Sequence, residues 1–362
     1  MQSTIWLVVS ILLVVALIIT VFRKMRPWGK KILLILLLLV GFIFSQYHFL
    51  FPAYKPLKAS GHYKVKTEMA YYTHETAFPK MATKGKSREI PLMLWMPKDV
   101  NKEMPLMIFS HGSFGVPESN TSLFMELASQ GYIVASMAHP YHSFSSTLSD
   151  GKTINVDKDF FKSVMTSQGS KDLEKTMNDF KSWKGIRIED MNFVIDSLLA
   201  DPKYGPLINK DALILAGHSL GGSVALEVGR DRGQEFLGVV SLEAPFFGDI
   251  TGVKGDKYSF LEEPYPIPVL HFYSDALWGK LDQITTYQRN QELIELKDPS
   301  FVNIHIEGVG HIGLSEFSST SPILANAIDG GMNKKDPEDK IKEINQETLK
   351  FVEDLVNKKR SE

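Results

Sequence analysis

The chain has 362 residues, 44% of them hydrophobic and 23% charged, with a formal net charge of −2 and no Cys. That composition is too apolar for a disordered chain, and without Cys there is no disulfide, no Cys-ligated metal centre and no thiol nucleophile. The near-neutral balance argues against a nucleic-acid partner, which requires a basic surface.

The average conceals two unlike parts. Residues 1–58 hold seven basic side chains and no acidic one; the remaining 33 basic and 42 acidic side chains give residues 59–362 a net charge of −9. Residues 4–22 and 32–54 are uncharged runs of 19 and 23 residues, rich in Leu, Ile and Val. At 1.5 Å per helical residue, about 20 apolar residues cross a hydrocarbon layer, so two transmembrane helices are expected, at about 4–22 and 32–51. The connector from Arg23 to Lys31 carries five positive charges in nine residues. Short basic loops stay cytoplasmic, which places the N-terminus and everything after residue 58 outside. A cleaved signal peptide would need its positive charges before the apolar run and a small-residue site after it; here the charges follow the run.

Residues 52–62, with Pro52, Pro56 and Gly61, read as a tether. The body (59–362) then alternates strand-like and helical runs. Strands are expected over 63–74, 90–95, 105–110, 132–137, 212–216, 237–242, 268–273 and 301–306, and helices over 122–130, 186–200 and 347–358. Gly131 marks the end of the first of these helices. Such alternation implies an α/β domain: a mostly parallel central sheet with helices on both faces. Residues 143–185 break the rhythm with a polar stretch in which Phe160, Phe161, Phe180 and Trp183 are scattered. An insertion of this length reads as a lid over the site.

The chemistry is concentrated after the run ALILA (212–216). Gly217-His218-Ser219-Leu220-Gly221 lies between that strand and a helical segment, the context that gives a Gly-x-Ser-x-Gly pattern its meaning. The tight turn pushes the Ser219 hydroxyl out at the carboxyl end of the sheet, at a helix N-terminus that favours developing negative charge. A serine hydroxyl needs a base. His311, between Gly310 and Ile312 and five residues past a strand, stands where the base of such a site is expected. Of the other histidines, His271 and His305 read as packed in strands, His218 as structural, and His139 and His142 as placed to line the pocket. Two carboxylates end strands and can orient His311: Glu243 and Asp275. The generic chain order of the fold favours Asp275. An oxyanion hole needs two backbone N–H groups, expected from Leu220 and from Ser113 in the His-Gly turn after the run PLMIFS (105–110).

Residues 106–137, the GHSLGG elbow (217–222), SLEAPFF (241–247) and GVGHIGLSEFSSTSP (308–322) resemble the platelet-activating factor acetylhydrolase branch of the α/β-hydrolases. REIPLMLWMP (88–97) is similar to that family's early strand and SWKGIRIEDMNFVIDSLL (182–199) to its helix before the elbow. The resemblance spans about residues 61–325. It implies the α/β-hydrolase fold and a Ser-acid-His triad whose acid falls on Glu243, with oxyanion donors on Ser113 and Leu220. The family's acid is Asp, so Glu243 is one methylene longer; Asp275 falls in a segment that is non-catalytic in the family.

The resulting expectation is a membrane-anchored serine hydrolase cleaving carboxylic esters through an acyl-enzyme, on short-acyl or phospholipid esters, with no metal or organic cofactor. A cutinase- or lipase-like esterase, an acyltransferase on the same triad and a non-catalytic binding protein on the same fold are the competing readings. Expected partners are the membrane and a small-molecule or lipid ester, not nucleic acid; the oligomeric state is open.

Overall fold

The computed structural model describes residues 2–99, 101–167 and 170–361. Two helices, α1 (Gln2–Phe22) and α2 (Trp28–Leu50), open the chain. Both are long and apolar enough to cross a membrane. They pack on each other through few polar contacts, with Ser10 Oγ 2.8 Å from Ser45 Oγ and Trp6 stacked on His48. Ile11, Leu12, Val40 and Ile43 point away and stay more than half exposed.

The body is built on one eight-stranded sheet: β1 (Val65–Glu75), β2 (Ser87–Pro97), β3 (Met104–Ser110), β4 (Ile133–Met137), β5 (Ile208–His218), β6 (Phe236–Leu242), β7 (Val269–Ser274) and β8 (Phe301–Ile306). Their spatial order is β1-β2-β4-β3-β5-β6-β7-β8. β2 pairs antiparallel with both β1 and β4, and every pair from β4 to β8 is parallel. The helices that flank it are α3 (Thr121–Ser129), α5 (Leu173–Ala200), α6 (Leu220–Asp231) and α10 (Pro337–Ser361).

Period-2 alternation sorts the central strands into two cores. Leu106, Ile108, Leu213 and Leu215 face Val194 and Ile195 of α5 and Val224 of α6. Met107, Phe109, Ile214 and Ala216 face Phe124 and Leu127 of α3 and Ile344 and Val352 of α10. Because both faces are covered, β3 and β4 are buried throughout, which is why their sequences read as unbroken apolar runs. Burying each Leu or Ile contributes roughly 1.5–3 kcal/mol.

Three helices begin well before the sequence expectation. α5 begins at Leu173, not at 186, with Asp172 capping it by accepting the Lys175 N–H at 3.0 Å. Its polar first half hides a stripe of Met177, Phe180 and Trp183, all buried at helical spacing. α10 begins at Pro337, ten residues before the expected start, because Ile341 and Ile344 extend its buried stripe through a highly charged sequence. α2 begins at Trp28, so Lys30 and Lys31 lie in its first turns. The segment 143–185 is largely regular: a hairpin (Ser145–Thr147 and Thr153–Asn155), helix α4 (Lys158–Ser167) and the start of α5. Helices α7 (Gln288–Leu296), α8 (Phe317–Thr320) and α9 (Pro322–Ile328), and a hairpin over Ile250–Lys254 and Lys257–Phe260, had no clear sequence signal.

The tether is bonded along α3. Ser122 Oγ accepts from the Leu57 N–H at 2.9 Å, Glu126 accepts from the Ser60 N–H at 2.8 Å, and Ser129 Oγ accepts from the Gly61 N–H at 3.0 Å. At the end of α2, the Leu50 carbonyl accepts from Ser321 Oγ at 2.6 Å.

Candidate active site

The centre of the site is the junction of β5 and α6. Ser219 has φ 53° and ψ −125°, a conformation costly for any residue with a side chain. The turn closes because its glycines leave no room for anything else. A Cβ on Gly217 would lie 2.4 Å from the Gly221 carbonyl carbon, and one on Gly221 would lie 2.0 Å from the Ser110 oxygen. Ser219 donates its N–H to the Leu242 carbonyl at 2.9 Å, and α6 starts at the next residue.

His311 follows β8 on a loop fixed from below. Asp329, buried at the end of α9, accepts from the N–H groups of Ile312 at 2.9 Å and Gly313 at 3.0 Å. Asn333 accepts from the Gly310 N–H at 2.7 Å and donates to Asp329 at 2.9 Å. The His311 ring is 31% exposed and its Nδ1 lies 2.7 Å from Glu243 Oε2. The adjacent His218 ring packs 4.7 Å from it, and His218 Nε2 lies 3.2 Å from the His311 carbonyl.

Glu243 sits just past β6 and is fully buried. Its φ of 48° is unusual for a residue with a side chain. Its Oε1 accepts from the Ser274 N–H at 2.6 Å and from Ser274 Oγ at 2.7 Å. Asp275, the other candidate, faces elsewhere: it holds His305 Nε2 at 2.8 Å and the Gly308 N–H at 3.1 Å. Glu243 therefore meets His311 and Asp275 does not.

Burial works against a charged His311. The hydrogen bond and charge of Glu243, helped by Asp329, outweigh it and hold the His311 pKa above its ordinary value. His218, buried and facing His311, is pushed down to about 3, so it stays neutral as a packed neighbour, in keeping with the structural part read from the sequence.

The loop after β3 lies over this junction: a Cβ on Gly112 would come within 3.3 Å of Ser219 Cβ. The next residue is Ser113, whose N–H has no backbone acceptor among the described residues. Beneath the loop is a buried polar network that sequence reasoning missed. Arg88 holds Asp190 through two bonds of 2.7 and 2.8 Å, and His139 bridges Asp190 and Ser110 at 2.8 Å each. Burial alone would raise the Asp190 pKa, but the charge of Arg88 keeps it well below the carboxylate range. His139 and His142 were expected to line the pocket; both are buried in this network, with His142 stacked on Phe160 at 3.7 Å. His271 is buried as expected, whereas His305 keeps a quarter of its side chain exposed beside Asp275.

An aromatic cluster flanks Leu220. Phe160, Val164, Phe180, Trp183 and Tyr258 pack with it, drawn from α4, α5 and the 250–260 hairpin. Phe161 lies 5.0 Å from Phe114 of the loop after β3. No group of His, Asp and Glu side chains among the described residues is arranged to hold a metal ion.

The fold matches solved structures. A ferulic acid esterase from Streptomyces cinnamoneus superposes with a TM-score of 0.59 at 17% identity, over 82% of this chain and 91% of that one. This is an α/β-hydrolase fold. A dienelactone hydrolase-like promiscuous phosphotriesterase from metagenomic libraries shares it with a TM-score of 0.50 at 13% identity, over 80% of this chain and 98% of that one. A family model for platelet-activating factor acetylhydrolase, isoform II, matches residues 81–181. That stretch of the α/β-hydrolase fold contains Ser113 and the loop after β3 but ends before Ser219, Glu243 and His311. No curated protein matches the chain.

Proposed function

We propose that this protein is a membrane-anchored serine hydrolase acting on carboxylic esters outside the cytoplasm. The observation that carries the reading is the 2.7 Å contact between His311 Nδ1 and the buried Glu243, with the ring packed on His218, the residue before a serine on a strained strand-to-helix turn. His311 Nε2 takes the Ser219 proton as Oγ attacks the acyl carbon. The oxyanion that forms is held by the N–H groups of Ser113 and Leu220. As the tetrahedral adduct collapses, the His311 proton passes to the departing alkoxide and an acyl-Ser219 ester remains. Water, activated by the same imidazole, releases the acid. Glu243 fixes the ring and balances the imidazolium charge.

The aromatic cluster beside Leu220 favours an apolar acyl group, and the ferulic acid esterase neighbour is in keeping with ester chemistry. The anchor reading rests on the two apolar helices and the basic loop between them. The tether meets α3 at its first turn, where the Leu57 N–H bonds Ser122, a few residues past the loop after β3, which supports a site on the side of the body from which the anchor emerges. That placement favours short-acyl or phospholipid esters presented at a bilayer, with residues 143–185 as a cap over the acyl group.

The test is labelling of the full-length protein in membranes with a fluorophosphonate probe, together with turnover of p-nitrophenyl acetate. Ser219→Ala is expected to abolish both. A folded wild-type protein that neither labels nor turns over ester overturns the reading. Short- and long-acyl esters and phospholipids assayed in parallel give the acyl preference.

A further inference from the structure

Arg187, on α5, is completely buried, yet no carboxylate forms an ion pair with it among the described residues. The nearest candidate, Asp190, is occupied by Arg88 and His139. A buried guanidinium left without a carboxylate is costly, and an apolar side chain would fill the same space. Its donors go to the loops around the site instead: Nη1 to the His111 carbonyl at 2.5 Å, Nη2 to the carbonyls of Gly112 at 3.3 Å and His142 at 3.4 Å, and Nε to His142 Nδ1 at 3.4 Å.

The Gly112 carbonyl has two further donors, His111 Nδ1 at 2.7 Å and the Gly115 N–H at 3.2 Å. The His111 tautomer follows from its other nitrogen. Ser143 Oγ accepts the His139 N–H at 2.8 Å and gives its own proton to His111 Nε2 at 2.7 Å, which leaves the proton of neutral His111 on Nδ1. Three groups thus pull one carbonyl in one direction. In a trans peptide the C=O and N–H point to opposite sides, so the N–H of the same unit, that of Ser113, is aimed the other way. Gly112 itself lies against Ser219.

We propose that Arg187 is a positioning residue for the oxyanion hole: by holding the His111 and Gly112 carbonyls it orients the Gly112–Ser113 peptide so that the Ser113 N–H faces the oxyanion formed on Ser219. This rests on the reading of Ser219 as nucleophile. The Ser143–His111 pair is the second arm of the same device.

The test compares wild type, Arg187→Met, Arg187→Lys and Ser143→Ala as full-length proteins. Readouts are kcat and KM on p-nitrophenyl acetate, the inhibition constant of an aryl trifluoromethyl ketone, the pH profile and the melting temperature. The ketone adds Ser219 Oγ to its carbonyl, and the hemiketal oxygen occupies the hole. Arg187→Met is expected to lower kcat by roughly 10²–10³-fold, the scale of one lost oxyanion donor. KM should stay within about threefold, and ketone affinity should fall by the same factor as kcat/KM. Arg187→Lys, with a single ammonium, should fall between, and Ser143→Ala should lose about tenfold with the same coupling. The acid limb of the pH profile should not move, since His311 is untouched.

If Arg187→Met lowers the melting temperature while its folded fraction keeps wild-type kcat and ketone affinity, the role is purely structural and the proposal falls. If Arg187→Met does not fold, wild-type ketone affinity in Ser143→Ala overturns it equally. Wild-type protein that neither labels nor turns over ester brings down the esterase reading and this inference with it.

Discussion

His311 and Glu243 meet at 2.7 Å because two backbone devices bring them together. The left-handed φ of 48° at Glu243 turns a longer carboxylate towards the ring, and Asp329 holds the His311 loop from behind. Ser274 clamps the other carboxylate oxygen through its N–H and hydroxyl. The extra methylene of Glu is thus accommodated by the strand end, and Asp275 is left to bind His305.

Glu243→Gln and Asp275→Asn separate the two carboxylates. Loss of the orienting acid costs about 10⁴ in kcat in the serine-protease case, and Glu243→Gln is expected to approach that loss. Asp275→Asn should keep kcat within about tenfold, because its partners His305 and Gly308 lie outside the proposed triad. Steady-state kinetics on p-nitrophenyl acetate with both proteins checked for folding decide it; the reverse ranking would assign the acid to Asp275.

The raised His311 pKa has a direction in the pH profile. The base must be neutral to accept the Ser219 proton, so kcat/KM should rise with pH through the free-enzyme pKa. Since Glu243 and Asp329 hold that pKa above the ordinary 6.5, the acid limb should lie above pH 6.5. Residual activity of Glu243→Gln should show the limb displaced to lower pH, because its largest raising influence is gone. A limb unchanged in that variant would mean that another group sets it.

Much of this site was legible in the sequence, and the reasons are local. The elbow announces itself because glycines 217 and 221 are required by close approach and flank a serine between a buried strand and a helix. The inner strands β3 and β4 read clearly because sheet burial on both faces makes them continuous apolar runs. The resemblance puts the acid on Glu243 and the chain order of the fold on Asp275; residue type and spacing leave the two open, because they differ in the φ angle at Glu243 and in the histidine that each carboxylate meets. Asp329 had no signal, as its role is set by the packing of α9 under the His311 loop. The Arg187–Asp190 region did carry one: both charges fall on the same helical stripe as Met191 and Val194, and a charge on an apolar stripe marks a buried polar contact.

Glu316 links the tether to the His311 region and supplies a test of stability. It is buried, and its carboxylate accepts from the Ser122 N–H at 3.1 Å and Oγ at 2.6 Å. Burial raises its pKa to about 7, from 4.5, against the lowering influence of the Ser122 N–H. The folded state therefore binds a proton that the unfolded state has released between about pH 4.5 and 7. Stability attributable to this group is intact below that window and falls as pH rises through it, by on the order of 1–3 kcal/mol. Glu316→Gln should flatten this decline: wild type and variant are expected to melt closer together at pH 5 than at pH 8, with the variant the more stable at pH 8. Equal pH slopes in the two thermal-melt series would contradict it.

The membrane topology can be read out directly because the chain has no Cys. Any single introduced Cys is then the only thiol in the chain for a maleimide to label. Lys24 lies in the basic loop between α1 and α2, and Lys58 lies in the tether; both side chains are exposed. If the loop with Arg23, Lys24 and Arg26 stays in the cytoplasm together with Lys30 and Lys31 of the first turns of α2, α1 and α2 form a hairpin and Lys58 lies on the opposite side from Lys24's loop. A membrane-impermeant maleimide applied to intact cells should label Lys58→Cys and leave Lys24→Cys unlabelled until the cells are opened. The opposite pattern would invert the topology and put the hydrolase domain in the cytoplasm. Labelling of both from outside would mean that α1 and α2 do not enclose a cytoplasmic loop, and the two apolar helices would then need a different partner for the faces that Ile11, Leu12, Val40 and Ile43 expose.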